Sequence, residues 1–170
     1  RKNGIIAITL KEKDELQWVG LSSGEDQVIL TTLEGMSIRF KESDVRAMGR
    51  GASGVTAIRL KGKDEVTSLN IISKELAKTA KLLVVMDKGY GKQTTISEYK
   101  TQQRGGSGVK TAKIGEKTGK LISAHIIVAA GIGSATANPF AAFLIGAASH
   151  FLGDAIPHWE YRVDALAKLK

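Results

Sequence analysis

Two arginines, each followed by a glycine-rich loop, are the residues of this sequence best suited to binding an anion. Arg50 precedes Gly51-Ala52-Ser53-Gly54, and Arg104 precedes Gly105-Gly106-Ser107-Gly108. Glycine allows positive φ angles and lets the backbone come close to a ligand, and a guanidinium beside backbone amides binds phosphate oxygens. The loops therefore predict two phosphate-binding sites, and ordinary glycine-rich turns between strands are the alternative.

Further candidates for phosphate contacts flank the two loops. They are Arg39, Lys41, Arg46, Lys92, Lys100, Gln102 and Lys110. Acidic residues accompany the basic ones, as in the run Lys41-Glu42-Ser43-Asp44. Some of these bases are therefore expected to form only a solvated charged face.

A different chemistry is indicated near the end of the chain, where His150, Asp154 and His158 follow one another at regular spacing. On a helix, His150 and Asp154 lie one turn apart on the same face. Imidazole together with carboxylate suits zinc or a similar divalent ion. The three residues form a candidate metal site, and a structural role for the histidines is the alternative.

The charge of the chain separates these two groups of residues. Residues 1–120 hold 22 Lys and Arg against 14 Asp and Glu, whereas residues 121–170 hold three of each, so the net charge of +8 lies in the first region. The absence of cysteine excludes disulfides, thiolate metal sites and a cysteine nucleophile. We therefore expect one domain over residues 1–120 and a second, different segment over residues 121–170.

The elements that must position the basic loops are predicted to be strands. Short runs rich in β-branched residues alternate with turn formers. These runs are Ile5–Leu10, Gln27–Thr32, Val55–Leu60, Lys81–Met86 and Val109–Ile114. Only Ser73–Ala80 has the composition of a helix.

The strands repeat. Val28–Leu60 aligns with Leu82–Ile114 without gaps, and at a slightly smaller offset Ile8–Glu15 echoes Ile58–Glu65. A β-rich period near 50 is typical of propeller blades, which must stack because one blade cannot bury both faces. We predict a mainly β fold, a partial β-pinwheel or propeller with two blades and part of a third. Such an arc stays open, because a closed ring needs at least four blades.

The two repeats resemble blades of the C-terminal domain of the DNA gyrase A protein, with the related topoisomerase IV protein next. The first repeat runs Arg39-Phe40-Lys41-Glu42-Ser43-Asp44-Val45-Arg46, then Met48-Gly49-Arg50 to Gly54-Val55. The second runs Lys88-Gly89-Tyr90-Gly91-Lys92, then Ser97-Glu98-Tyr99 and Arg104-Gly105-Gly106-Ser107-Gly108-Val109. The resemblance covers residues 1–120. It implies a β-pinwheel whose blades exchange strands and whose basic rim wraps double-stranded DNA, with no cofactor in this region.

The family's heptapeptide runs glutamine, base, arginine, glycine, glycine, base, glycine. The positions that match it are Gln102, Arg104, Gly105, Gly106 and Gly108. Gln103 and Ser107 replace the two bases, which puts full wrapping activity in doubt. The family's cleavage tyrosine has no counterpart in this chain. The resemblance therefore implies a non-enzymatic arm of an ATP-dependent type II topoisomerase that supercoils DNA, cytoplasmic and nucleoid-associated, with the rest of a gyrase A/B complex as partner.

The segment after Lys120 differs in kind. Leu121–Leu152 carries no charged residue and is interrupted by Asn138-Pro139. We predict a short apolar helical tail or hairpin, with membrane contact through residues 121–161. A buried core hairpin is one alternative, and another is that Leu121–Val128 supplies the strand of the third blade that is due there.

Residues 125–161 also resemble a family of small bacterial membrane-bound metal-dependent hydrolases, through the spacing of the histidines and the aspartate. This resemblance implies a rival function, a fragment of such a hydrolase at the inner membrane with a bound divalent metal. A third possibility is a structural propeller arm that docks onto another protein and has no salt-sensitive affinity for DNA.

Overall fold

The computed structural model describes residues 4–128, which form mainly β-structure. The strands are β1 (Gln27–Thr32), β2 (Met36–Lys41), β3 (Val66–Ile72), β4 (Lys81–Met86), β5 (Gly91–Thr95), β6 (Val109–Lys110) and β7 (Leu121–Ile127). Two single 3-10 turns, Glu42–Asp44 and Ile96–Glu98, follow β2 and β5, and the short helix α1 covers Leu76–Thr79. The mainly β prediction is confirmed.

The strands form two antiparallel sheets. The first has the order β3-β1-β2-β6, and the second has the order β5-β4-β7. Each sheet is built around a tight hairpin whose turn contains a glycine in the left-handed region, Gly35 with φ of 76° and Gly89 with φ of 81°. A side chain is rarely tolerated at such angles, so these glycines fix the register of both hairpins.

The predicted repeat is confirmed by the strands. The same alignment that pairs Val28 with Leu82 places the start of β1 on the start of β4, and the first 3-10 turn on the second. Strand β3 pairs antiparallel with β1, and β7 pairs with β4 in the same manner, each with one register shift near its end. The strands β3-β1-β2 of the first sheet and β7-β4-β5 of the second are therefore the same elements in the same order.

One strand of the second repeat belongs to the first sheet. β6 follows the glycine-rich loop of the second repeat, yet it pairs with β2 of the first repeat, with Lys110 opposite Met36 and Val109 opposite Ser37. This arrangement agrees with the strand exchange between blades that the family resemblance implies. The first sheet is complete only when the second repeat supplies its edge.

One apolar core joins the two sheets. Strand β4 alternates between buried and half-buried positions, which places Leu82 and Val84 on its inner face. These side chains belong to one cluster with Ile29 and Ile72 of the first sheet, and all four are at most 1% exposed. The repeats are therefore packed as one body, as stacked blades must be.

The predicted boundary at residue 120 was misplaced. Leu121–Ile127 is not the start of a helix but strand β7, which pairs with β4 along its whole length. Leu121 and Ala124 are at most 1% exposed because β7 fills the place that β3 occupies in the first sheet. The apolar composition of this segment therefore reflects burial in the second sheet. The alternative of a strand at this position is confirmed, but the strand belongs to the second sheet and not to a third blade.

Other predicted elements are shorter than expected. Helix α1 takes four residues of the predicted Ser73–Ala80, and β6 takes two residues of Val109–Ile114. Within residues 4–128, Ile5–Leu10 forms no strand and Val55–Leu60 contributes a single bridge, between Ile58 and Gly106. None of the helices in this part of the chain could cross a bilayer. The helical tail predicted beyond residue 128 lies outside the described residues.

Candidate nucleic-acid interface

Arg39 lies inside the molecule, where a phosphate cannot reach it. Its side chain is 8% exposed, and Nε donates to Oε1 of Gln27 at 2.6 Å. Nη1 donates to the carbonyl oxygens of Ile96 at 2.7 Å and Tyr99 at 2.9 Å. Burial lowers the pKa of Arg39, yet an arginine remains charged in a protein. The structure corrects the predicted DNA contact, because Arg39 ties β2 to the 3-10 turn of the second repeat.

The glycine-rich loop of the second repeat docks onto the first repeat. The Gly105 amide donates to the carbonyl of Ala57 at 2.6 Å, and the Arg59 amide donates to the carbonyl of Gly106 at 2.8 Å. Gly108 has φ of 71°, and a Cβ at this position would overlap the carbonyl oxygen of Ser37. These glycines therefore allow the close approach that brings β6 beside β2. The Gly105 amide is not available for a phosphate.

Arg104 joins its own loop to two segments of the first repeat. Its Nε donates to the carbonyl of Asp44 at 2.9 Å, and its Nη1 donates to the carbonyl of Thr56 at 3.1 Å. Arg104 is half-buried, and so is Gln102. The backbone N–H of Gln102 donates to the carbonyl of Arg39 at 2.7 Å. The predicted phosphate ligand thus uses two of its five N–H donors at the junction between the repeats.

The loop of the first repeat is docked in the same way but leaves its arginine exposed. The amide of Thr9 donates to the carbonyl of Ala52 at 3.2 Å, which is the counterpart of the contact between Arg59 and Gly106. Arg50 and Arg46 are exposed, and neither side chain forms a hydrogen bond or ion pair with the residues that the structure describes.

Three of the predicted lysines are brought together. Lys92 on β5, Lys100 after the second 3-10 turn and Lys110 on β6 line one cavity of about 300 Å³. Among the described residues, Glu98 is the one acidic side chain in its lining. The Nζ of Lys92 donates to the carbonyl of Thr111 at 3.4 Å. We call this the lysine cavity.

The wall of the lysine cavity contains a polar group without a partner. Thr94 is 9% exposed, and its hydroxyl forms no hydrogen bond with the described residues. Beside it, the hydroxyls of Tyr99 and Thr111 are hydrogen-bonded to each other. Buried polar groups are usually satisfied, so this orphan hydroxyl beside three cations is consistent with a polar or anionic ligand.

Lys41 faces a different environment. It is exposed and lines a separate cavity with Glu25, Asp26 and Lys74. Glu25 forms an ion pair with Lys74, and the hydrogen bond from Lys74 lowers the pKa of Glu25. The carboxylates of this cavity offset its lysines, so Lys41 is not grouped with the lysine cavity.

Two basic residues near the site were missed by sequence reasoning. Arg59 and Lys61 line a second cavity of about 250 Å³ together with Lys110. The repeat did not single them out as a pair, because the corresponding positions of the second repeat are Lys113 and Gly115. Arg59 and Lys61 lie near Lys110 because the glycine-rich loop of the second repeat docks onto the first repeat. The spacing of residues in the sequence does not predict this docking.

The predicted metal site of His150, Asp154 and His158 lies outside the described residues. Among residues 4–128, no group of three potential ligands is arranged to hold a metal ion. The predictions of metal binding and membrane contact for the tail remain predictions.

Comparison with known proteins follows the same division of the chain. A family model described as the DNA gyrase C-terminal domain, beta-propeller, matches residues 1–23, 26–73 and 80–127. The DNA gyrase A protein of Klebsiella oxytoca is 44% identical over 124 residues, which cover 73% of this chain and 14% of the relative. That of Salmonella typhimurium is 46% identical over 124 residues, again 73% of this chain and 14% of the relative. The chain therefore spans about one seventh of the curated relatives it matches.

Solved structures agree with the sequence matches. A structure of the DNA gyrase A C-terminal domain superposes with a TM-score of 0.65 at 30% identity, covering 74% of this chain and 42% of that one. The C-terminal domain of DNA topoisomerase IV gives a TM-score of 0.65 at 28% identity, covering 74% and 38%. The family match ends at residue 127 and gives no support to the hydrolase resemblance of residues 125–161. This chain belongs to the family of DNA gyrase C-terminal β-propeller domains.

Proposed function

We propose that this chain binds duplex DNA without sequence specificity, through contacts to backbone phosphates. The observation that carries this proposal is the lysine cavity, in which Lys92, Lys100 and Lys110 converge beside a single carboxylate. Lysine ammonium groups bind phosphates as point charges and read no base pattern. Exposed Arg46 and Arg50 are candidates for further contacts of the same kind.

The proposed biological context is the C-terminal arm of a gyrase-type topoisomerase. The curated relatives are DNA gyrase A proteins, and in such an enzyme this arm would hold DNA against the complex while cleavage takes place elsewhere. The chain itself is proposed to have no enzymatic activity. Its proposed partners are double-stranded DNA and the rest of a gyrase complex, and its proposed location is the cytoplasm, on the nucleoid.

Wrapping demands more contacts than binding does. Bending duplex DNA by roughly 40–90° over two to three turns costs about 1–6 kcal/mol, which several phosphate contacts must offset. The lysine cavity and the two exposed arginines offer a few contacts on two repeats. We therefore propose that this chain contributes part of a wrapping surface to its parent.

The test is binding of the full chain to duplexes of arbitrary sequence over a salt series from about 50 to 200 mM. The variant K92Q/K100Q/K110Q should weaken binding by about tenfold or more and reduce the slope of log K against log salt by about 2 to 3. The matched control K11Q/K63Q/K78Q removes three exposed charges that line none of the three cavities described above. The control should change the slope much less.

Two results would contradict the proposal. A folded chain that binds no DNA at low salt would leave the basic residues as a solvated face and favour an arm that docks onto protein. Equal losses in the lysine variant and its control would show that only the total charge matters.

A further inference from the structure

The second basic cavity lies at the junction between the repeats. Arg59 and Lys61 come from the first repeat, whereas Ser107 and Lys110 come from the glycine-rich loop and strand β6 of the second. The docking of the loop holds these residues together, since the Arg59 amide donates to the carbonyl of Gly106. We call this the junction cavity.

Two acidic residues also line the junction cavity, and both have partners. Oδ1 of Asp64 accepts hydrogen bonds from the amides of Glu34 at 2.9 Å and Glu65 at 3.0 Å. Oε1 of Glu34 lies 3.3 Å from Nζ of Lys120. The carboxylate of Asp64 is therefore hydrogen-bonded to backbone amides, and that of Glu34 is paired with Lys120, which does not line the cavity.

The cations of the junction cavity have no such partners. Arg59, Lys61 and Lys110 are exposed, and none of them forms an ion pair with the residues that the structure describes. Three cations against two carboxylates leave an excess of one positive charge in the lining, and one of the carboxylates, Glu34, is already paired with Lys120. The guanidinium of Arg59 adds donors in a fork, a geometry that matches two oxygens of one phosphate.

The two basic cavities adjoin each other. Lys110, at the end of β6, lines both of them. The lysine cavity extends from Lys110 toward Lys92 and Lys100, and the junction cavity extends from Lys110 toward Arg59 and Lys61. The phosphates of one DNA backbone can therefore contact both cavities through neighbouring positions on either side of Lys110.

We propose that the junction cavity binds a backbone phosphate of duplex DNA, with Arg59 and Lys61 as ligands beside Lys110. This inference rests on the proposed function and extends it, because it assigns the DNA path across the boundary between two repeats. Since the ligands come from both repeats, the bound phosphate also holds the docked loop in place.

The experiment measures binding of the full chain to the same duplexes over the same salt series. R59Q/K61Q should weaken binding by about tenfold, which corresponds to about 1.4 kcal/mol. It should also reduce the salt slope by about 1. The matched control K11Q/K63Q removes two exposed charges outside the cavity and should weaken binding by less than about threefold.

A gain of charge tests the same cavity in the opposite direction. S107K places a fourth cation in the lining, whereas S97K adds the same charge on the exposed 3-10 turn after β5. We expect S107K to tighten binding severalfold and S97K to have little effect. Circular dichroism and thermal unfolding of each variant establish that it is folded.

The outcomes separate the two proposals. If K92Q/K100Q/K110Q weakens binding but R59Q/K61Q matches its control and S107K matches S97K, the junction cavity is not a phosphate site and the proposed function stands. If the folded wild-type chain binds no duplex, both proposals fall.

Discussion

The two glycine-rich loops have nearly the same sequence pattern and different environments. Arg104 of the second loop is half-buried and donates to the carbonyls of Asp44 and Thr56, whereas Arg50 of the first loop is exposed. A Cβ on Gly108 would overlap the carbonyl oxygen of Ser37, whereas a Cβ on Gly54 would meet only one side-chain atom, at 4.0 Å. Both loops are docked by a backbone hydrogen bond, but only the second loop also uses its arginine at the junction, whereas the first leaves its arginine exposed.

The largest expected difference between the loops comes from their glycines. G108A adds strain at positive φ and an overlap with the backbone of Ser37, so we expect a loss of about 3 kcal/mol or more in the free energy of unfolding. G54A adds only the strain of its φ of 85°, which costs about 1 kcal/mol. Urea unfolding of both variants measures the two losses. Equal losses would mean that the contact with Ser37 is relieved without cost.

The next difference concerns the arginine on β2 and its counterpart on β5. R39M leaves the carbonyl of Tyr99 without its donor and removes one of the two donors to the carbonyl of Ile96, and we expect a loss of about 2–3 kcal/mol in the free energy of unfolding. The counterpart in the second repeat is Gln93, which is exposed, so Q93M should stay within about 0.5 kcal/mol of wild type. A destabilisation by Q93M as large as that by R39M would contradict the assignment of Arg39 to the junction.

Substitution of Arg104 should lower mainly the stability of the fold, and substitution of Arg50 should lower mainly the affinity for DNA. R104A removes two hydrogen bonds and should cost about 1.5–2 kcal/mol in the free energy of unfolding, whereas R50A should cost at most about 0.5 kcal/mol.

DNA affinity should show the reverse order, with R50A weakening binding about threefold at low salt and R104A having little effect while the chain stays folded. R50K should restore binding, because a phosphate accepts any cation. R104K should not restore stability, because lysine lacks the fork that reaches two carbonyls. Restoration of stability by R104K would show that charge alone matters there.

The smallest expected difference is an ion pair present in one repeat only. Glu25 and Lys74 form this pair, and the corresponding positions in the second repeat are Thr79 and Val128. The hydrogen bond from Lys74 lowers the pKa of Glu25 below its usual value of 4.5. The contribution of the pair is therefore present above pH 4.5 and is lost as the pH falls through the lowered pKa.

Both groups are fully exposed, so the effect should be slight and screened by salt. Thermal unfolding of wild type and E25Q at neutral and acidic pH measures it. The difference in Tm between the two should shrink on acidification. A difference that grew instead would contradict the direction of the pKa shift.

Much of the fold was predictable because local rules agree with it. β-Branched runs bounded by turn residues indicated one strand of each hairpin, β1 and β4, and the alignment of the two repeats reappeared directly in the strands. The partner strands β2 and β5, and also β3, were not among the predicted runs. The sequence could not indicate that β6 crosses to the first sheet, because two residues of pairing leave no periodic signal. The apolar stretch after Lys120 suggested a helix because buried strands and buried helices share the same composition.

The candidate site was predictable only in part. Lys92, Lys100 and Lys110 were identified from charge and repeat, and the structure brings them to one cavity. Arg39 was misassigned because an arginine in sequence gives no indication that three acceptors surround it inside the fold. Arg59 and Lys61 were missed because their importance depends on Lys110, a neighbour in space that is distant in sequence.

The exchanged strand also sets the order in which this chain can fold as it is synthesised. Met36 of β2 pairs with Lys110, which belongs to the following repeat and leaves the ribosome much later. At a synthesis rate of about 5–20 residues per second, the edge of the first sheet stays open for several seconds after its own hairpin has emerged. During that interval the hairpin exposes an unpaired edge, the kind of surface that chaperones and neighbouring nascent chains can contact. The strand that locks two finished repeats together thus leaves each new molecule vulnerable to wrong pairing for a short time.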